Sequence, residues 1–134
     1  MEVKCFEKVA KSGMSLEEAV KNKLVPCLTL QDGNLHLRHN HNYYYQIQGQ
    51  LGITQRQLCY FVVYTGDYNN IFIEEIVFDD IFFRDMVCKL IDFYENCLAP
   101  EIILNRRQRN LKCRDPPSIL RAQEELQLRK SSKS

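Results

Sequence analysis

The run at residues 58–65, LCYFVVYT, constrains this chain more than any other segment. It is almost wholly apolar, β-branched or aromatic, and far shorter than the ~20 apolar residues of a membrane-spanning helix. A short, nearly continuous run of this kind suits a strand buried on both faces. The 134 residues of the chain leave room for one domain around it.

The flanking sequence supplies the other elements. Residues 1–6 alternate, and a strand there places Glu2 and Lys4 on one face, because side chains i and i+2 project together. Lys11-Ser12-Gly13 breaks that pattern. Ser15-Leu16-Glu17-Glu18 is a capping box that opens a short helix to about Lys23, and Pro26 ends it. Residues 27–30 and 35–37 flank Asp32-Gly33, which predicts a hairpin. From His39 to about Ile53, Tyr44, Ile47 and Leu51 recur at helical spacing, and Gly52 ends the pattern. Residues 71–77 read as a strand nearer an edge. Asp79 or Asp80 caps a long helix to about Leu98, with Phe82, Met86, Leu90, Phe93 and Cys97 on one apolar face and Pro100 as its stop. Residues 119–130 suit a polar helix, and the closing SSKS reads as a loose end. The expected fold is an α/β or α+β layered domain, a mixed sheet flanked by helices. A strand founded at Met1 normally has earlier partners, so the chain is expected to be cut at its N-terminal side.

Charge divides the chain. Residues 1–105 carry 9 Lys/Arg against 14 Asp/Glu, and residues 106–134 carry 9 against 3. A weakly acidic body is thus followed by a basic tail, which could touch nucleic acid or be a solvated extension. With 45% hydrophobic and 26% charged residues the chain is not of disordered composition. No apolar core of a secretion signal opens it, so it is read as intracellular and not secreted. The six cysteines form no C-x-x-C pair, which favours reduced thiols over a disulfide framework or a zinc site.

Three groups could carry chemistry. In Glu2-Val3-Lys4, a carboxylate can hold a hard divalent cation and a neighbouring lysine can stabilise developing phosphoryl charge. Any solvated strand face can present the same pair. In Tyr43-Tyr44-Tyr45-Gln46-Ile47-Gln48-Gly49-Gln50, Gln46 and Gln50 lie one turn apart and share a face with Tyr43, while Gln48 points elsewhere. That face can hydrogen-bond a phosphate, a water or a carboxylate, or it can be ordinary helix surface with tyrosine hydroxyls at the rim. His36, His39 and His41 match no common metal spacing, and surface or phosphate-contacting roles fit them better. No phosphate-cradling glycine loop, nucleophile elbow or RNA-recognition strand signature occurs.

Taken in order, E-V-K-C, S-L-E-E-A-V, L-x-L-x-x-G-x-L-x-L, H-N-Y-Y-Y-Q-I-Q-G-Q-L-G-I-T, C-Y-F-V-V-Y-T and F-Y-E-N-C-L-A-P-E-I resemble the YqaJ-type viral recombinase domain. That domain is the lambda-exonuclease-like branch of the PD-(D/E)XK nuclease superfamily. The resemblance covers about residues 2–103, and its most specific part is the tyrosine–glutamine block followed by C-Y-F-V-V-Y-T.

The resemblance implies a restriction-endonuclease-like core over residues 1–105, lacking its first helix and strand, with 106–134 as the tail. It implies a metal-dependent DNA exonuclease or recombinase-like activity that hydrolyses phosphodiester bonds with Mg²⁺ or Mn²⁺. Glu2 matches the metal-binding carboxylate and Lys4 the catalytic lysine. The main-chain carbonyl of Val3 matches a further metal ligand, and Gln46 the supporting glutamine. Tyr45, Gln48 and His41 are implied nucleic-acid contacts. DNA is the implied partner, a ring-shaped homo-oligomer is compatible with the family, and a nuclear location is the expectation for a DNA-directed protein. The chain departs from the family in two places: Phe6 stands where a proline is usual, and no aspartate precedes Glu2. The implied metal site is therefore half a site. The alternative is a catalytically dead nucleic-acid-binding or interaction module derived from a mobile-element nuclease. A third reading is a remnant that does not fold stably.

Overall fold

A computed structural model describes residues 1–131; residues 132–134, most of the SSKS end, lie outside the described part. The elements are β1 (Glu2–Cys5), α1 (Glu7–Ser12), α2 (Leu16–Lys21), β2 (Leu28–Gln31), β3 (Asn34–Leu37), α3 (Asn42–Thr54), β4 (Leu58–Tyr64), β5 (Ile71–Val77), α4 (Asp80–Phe93), α5 (Ala99–Leu104) and α6 (Pro117–Ser131). The fold is mixed α and β, with a mixed sheet flanked by helices. By internal contacts the chain divides into two compact units, Met1–Phe83 and Arg84–Ser134. Among the described residues no helix is long and apolar enough to cross a membrane.

The first unit holds a three-stranded sheet in the order β1-β4-β5 and the separate β2–β3 hairpin. β1 runs parallel to β4, with Glu2 opposite Phe61 and Lys4 opposite Val63. β4 and β5 are antiparallel. A parallel pair needs a long crossover, and residues 6–57, with α3 as their longest helix, provide it. Cys59, Phe61, Val63 and Ile76 face Tyr44, Ile47 and Leu51 of α3, and all are buried. The hairpin turn is as the sequence predicts: Asp32 and Gly33 both take positive φ, 49° and 80°, the geometry of the two-residue turns that match strand twist.

β4 is buried on both faces only in its middle, at Phe61–Val63: on the face away from α3 Val62 is buried, whereas Leu58, Tyr60, Ile71, Ile73 and Val77 are exposed. Apolar composition alone cannot distinguish a strand buried twice from one buried once with an apolar outer face.

α1 has no counterpart in the sequence reading. Its start has no side-chain cap, and the break at Gly13 is its C-cap at φ 65°, a conformation glycine adopts without strain. Val9 is the one buried residue of this helix. Beyond it, Gly66 also needs to be glycine: φ is 91°, and an added Cβ would lie 2.8 Å from the Ala10 Cβ. The adjoining turn is locked by Asn70, whose Oδ1 accepts from Leu16 N at 2.9 Å and whose Nδ2 donates to Met14 O at 3.0 Å.

In the second unit Pro100 does not stop the helix. α4 passes through a π turn at Tyr94–Leu98 into α5, where the proline occupies the first turn. At that position a missing N–H costs nothing. The apolar stripe expected to bury α4 leaves none of its residues buried. α6 forms where a polar helix is predicted, with Arg129 and Lys130 in its last turn.

Candidate functional site

Glu2 and Lys4 project from the same face of β1, as their spacing requires. Lys4 Nζ lies 2.7 Å from Glu2 Oε1, with the two side chains 20% and 17% exposed. α3 crosses above them and presents two glutamines one turn apart. Gln46 accepts from Lys4 Nζ through Oε1 at 3.1 Å and donates from Nε2 to Glu2 Oε1 at 3.2 Å. Gln50 donates to Glu2 Oε2 at 3.2 Å. The lysine also sits over the Tyr43 ring, 4.3 Å from its centroid, a favourable cation–π placement. Tyr43 in turn packs against Phe61, the strand partner of Glu2. Glutamines and tyrosine that could have been plain helix surface thus converge on the E-x-K pair.

The Lys4 hydrogen bond holds the Glu2 carboxyl below the usual carboxylate range; Gln50 and Gln46 add to the effect and partial burial opposes it. Both carboxylate oxygens therefore accept from donors of the chain itself. Val3 contributes main chain only. Phe6 N donates to Tyr64 O at 3.1 Å. The alternation of a parallel ladder then directs the main-chain groups of Val3 away from β4, toward the open edge of β1.

The other expected contacts separate into different roles. Tyr45 is 40% exposed beside Phe82 and is available to a ligand. Gln48 is corrected from a nucleic-acid contact to a structural latch, being 0% exposed. Its Nε2 donates to Val77 O at 2.9 Å and its Oε1 accepts from Asp79 N at 2.9 Å. One buried amide thus ties α3 to the end of β5 and the approach to α4, and an apolar replacement would remove both of these main-chain contacts.

The three histidines do not converge. His36 Nδ1 meets Glu74 Oε1 at 3.0 Å, while Glu74 Oε2 accepts from Leu37 N at 2.7 Å and pins the hairpin to β5. His39 stacks on Tyr44. His41 is the N-cap of α3, its Nδ1 accepting from Tyr43 N at 3.2 Å. Among the described residues no group of three His, Cys, Asp or Glu could hold a metal ion.

The His41 cap predicts a pH dependence. Burial, with Arg38 nearby, lowers its pKa from the ordinary 6.5. The neutral ring is the form that accepts the cap bond, so the native state favours deprotonation. Its stabilisation is complete above about pH 6.5 and is lost as pH falls through the lower native value. His41→Asn keeps an N-cap acceptor that does not titrate. Thermal melts between about pH 7 and pH 5 should show the native protein losing up to ~1 kcal/mol relative to His41→Asn; parallel profiles would refute the capping role.

No protein-family model matches the chain, no curated protein matches it, and no solved structure matches it.

Proposed function

We propose that the chain is a DNA-directed domain of the YqaJ-type, lambda-exonuclease-like branch of the PD-(D/E)XK superfamily. The observation that carries this reading is the convergence of Glu2, Lys4 and Gln46, brought from a parallel edge strand and the helix of its crossover into mutual hydrogen-bond contact. In that assignment Lys4 is the group that meets developing phosphoryl charge. Gln46 fixes the lysine and the carboxylate relative to each other, and Gln50 holds the second carboxylate oxygen.

The implied Mg²⁺ or Mn²⁺ does not fit the described residues as they stand. They offer one carboxylate, already satisfied by three donors, and the Val3 carbonyl. A hard cation is held by six or more oxygens, and Mg²⁺ in phosphoryl sites uses one or two carboxylates with substrate phosphates and water. Metal-dependent hydrolysis is therefore proposed only for a site completed by a second carboxylate on the open edge of β1. The satisfied Glu2 favours a second reading for the chain alone: a nucleic-acid-binding module without cleavage.

One experiment separates these readings. Fluorescence anisotropy with labelled DNA should show binding that weakens steeply as salt rises, since phosphate contacts release counterions. Linear DNA is then incubated with the chain and Mg²⁺ or Mn²⁺. Cleavage favours the enzyme, and binding without cleavage favours the module. Absence of binding at low salt overturns both.

A further inference from the structure

We infer that a cavity beside Glu2 seats one nucleotide unit of a DNA strand, with its phosphate on Arg56. This inference rests on the DNA-directed reading above and deepens it.

The cavity arises from a step in the sheet. Glu2 pairs with Phe61, so β4, which begins at Leu58, runs on past the start of β1. The last turn of α3 roofs the gap. The resulting cavity measures about 380 Å³ and is lined by Glu2, Gln50, Leu51, Thr54, Arg56 and Leu58, among others. Its size suits a small ligand. Of its polar side chains, Gln50 donates to Glu2 and Thr54 donates to Gln50 O at 2.6 Å, which leaves Arg56 to meet a ligand.

Arg56 is the side-chain cation of this cavity. Among the described residues its guanidinium has neither a hydrogen bond nor an ion pair. Lys4, by contrast, is paired with Glu2 and held by Gln46 in the resting chain. That pairing also offsets the Glu2 charge, so the carboxylate does not govern the field an incoming phosphate meets. The root of the arginine is fixed: Gln55 takes φ 55° and donates to Leu51 O, and Arg56 N donates to the same oxygen at 3.1 Å. A planar guanidinium presents a rigid fork of donors that matches phosphate oxygens. An arginine past a helix C-terminus also complements the helix dipole, but that role does not explain why it lines a cavity with the E-x-K carboxylate.

The test is a salt series on the whole chain, read by anisotropy with a fluorescein-labelled single-stranded DNA oligonucleotide. Arg56→Gln should weaken binding several-fold and reduce the slope of log K against log salt by about 0.7, the contribution of one phosphate on a single strand. Arg56→Lys should keep the slope. Lys23→Gln, at an exposed turn away from the cavity, should leave both unchanged. Deoxyadenosine monophosphate should compete less well against Arg56→Gln than against the native chain. Native binding with an unchanged slope in Arg56→Gln overturns the inference and leaves the DNA-directed reading standing. Failure of the native chain to bind at low salt overturns both.

Discussion

Lys4→Ala is expected to lower metal-dependent cleavage of linear DNA by about 10²–10³-fold in a form of the protein whose site carries a second carboxylate. The size follows from what the ammonium does. It lies 2.7 Å from Glu2, 3.1 Å from the Gln46 oxygen and 4.3 Å from the Tyr43 ring centroid. In the proposed role, an ammonium so held before substrate arrives would stabilise transition-state charge with little reorganisation. The alanine variant removes that charge and also leaves Glu2 without its counter-ion. Lys4→Arg should not restore the rate, because a planar fork does not replace a compact ammonium in the same contacts. Gln46→Ala should cost less, since it positions rather than contacts. Single-turnover cleavage rates check the series, with thermal melts to verify that each variant folds. An active enzyme indifferent to Lys4→Ala would falsify the assignment.

Phe61→Ala is expected to destabilise the first unit by about 3–5 kcal/mol, the range for deleting a fully buried aromatic ring. Phe61 is 0% exposed on the central strand, with the rings of Tyr43 and Phe72 6.2 and 6.5 Å from its own. Loss on that scale is a large fraction of the stability of a small domain. The effect also reaches the site. Phe61 is the strand partner of Glu2 and a support of Tyr43, so a variant that still folds should lose part of the DNA affinity proposed for the chain. Denaturant melts give the first quantity and anisotropy the second. A Phe61→Ala protein within about 1 kcal/mol of the native one would contradict the central position given to this ring.

The elements that could be read in the sequence are those governed by local chemistry. Asp32-Gly33 specifies its turn because both residues tolerate positive φ. Ser15 and Glu18 specify a helix start because each satisfies an orphan backbone group of the other. Glu2 and Lys4 share a face because strands repeat every two residues, and Gln46 and Gln50 share one because helices repeat nearly every four. The errors have equally local causes. Pro100 reads as a stop, yet a π turn before it places the ring where no N–H is needed. Gln48 reads as surface because glutamine is usually exposed, but two main-chain groups on other elements required its amide. Arg56 carries no signal at all in the sequence, since an arginine after a helix is ordinary.

Sequence by itself thus determined the period, the turns and the caps, and with them which side chains travel together on each strand and helix. It did not determine which of those faces meet. That β1 lies beside β4, that α3 sets its glutamines on Glu2 and Lys4, and that one face of the sheet is covered along its length while the other is covered only around Val62 were decided by tertiary structure. The physical reason is that backbone geometry is specified over a few residues. Burial, hydrogen-bond pairing and the surroundings of a charge are instead set by groups tens of residues apart that only the folded chain brings together.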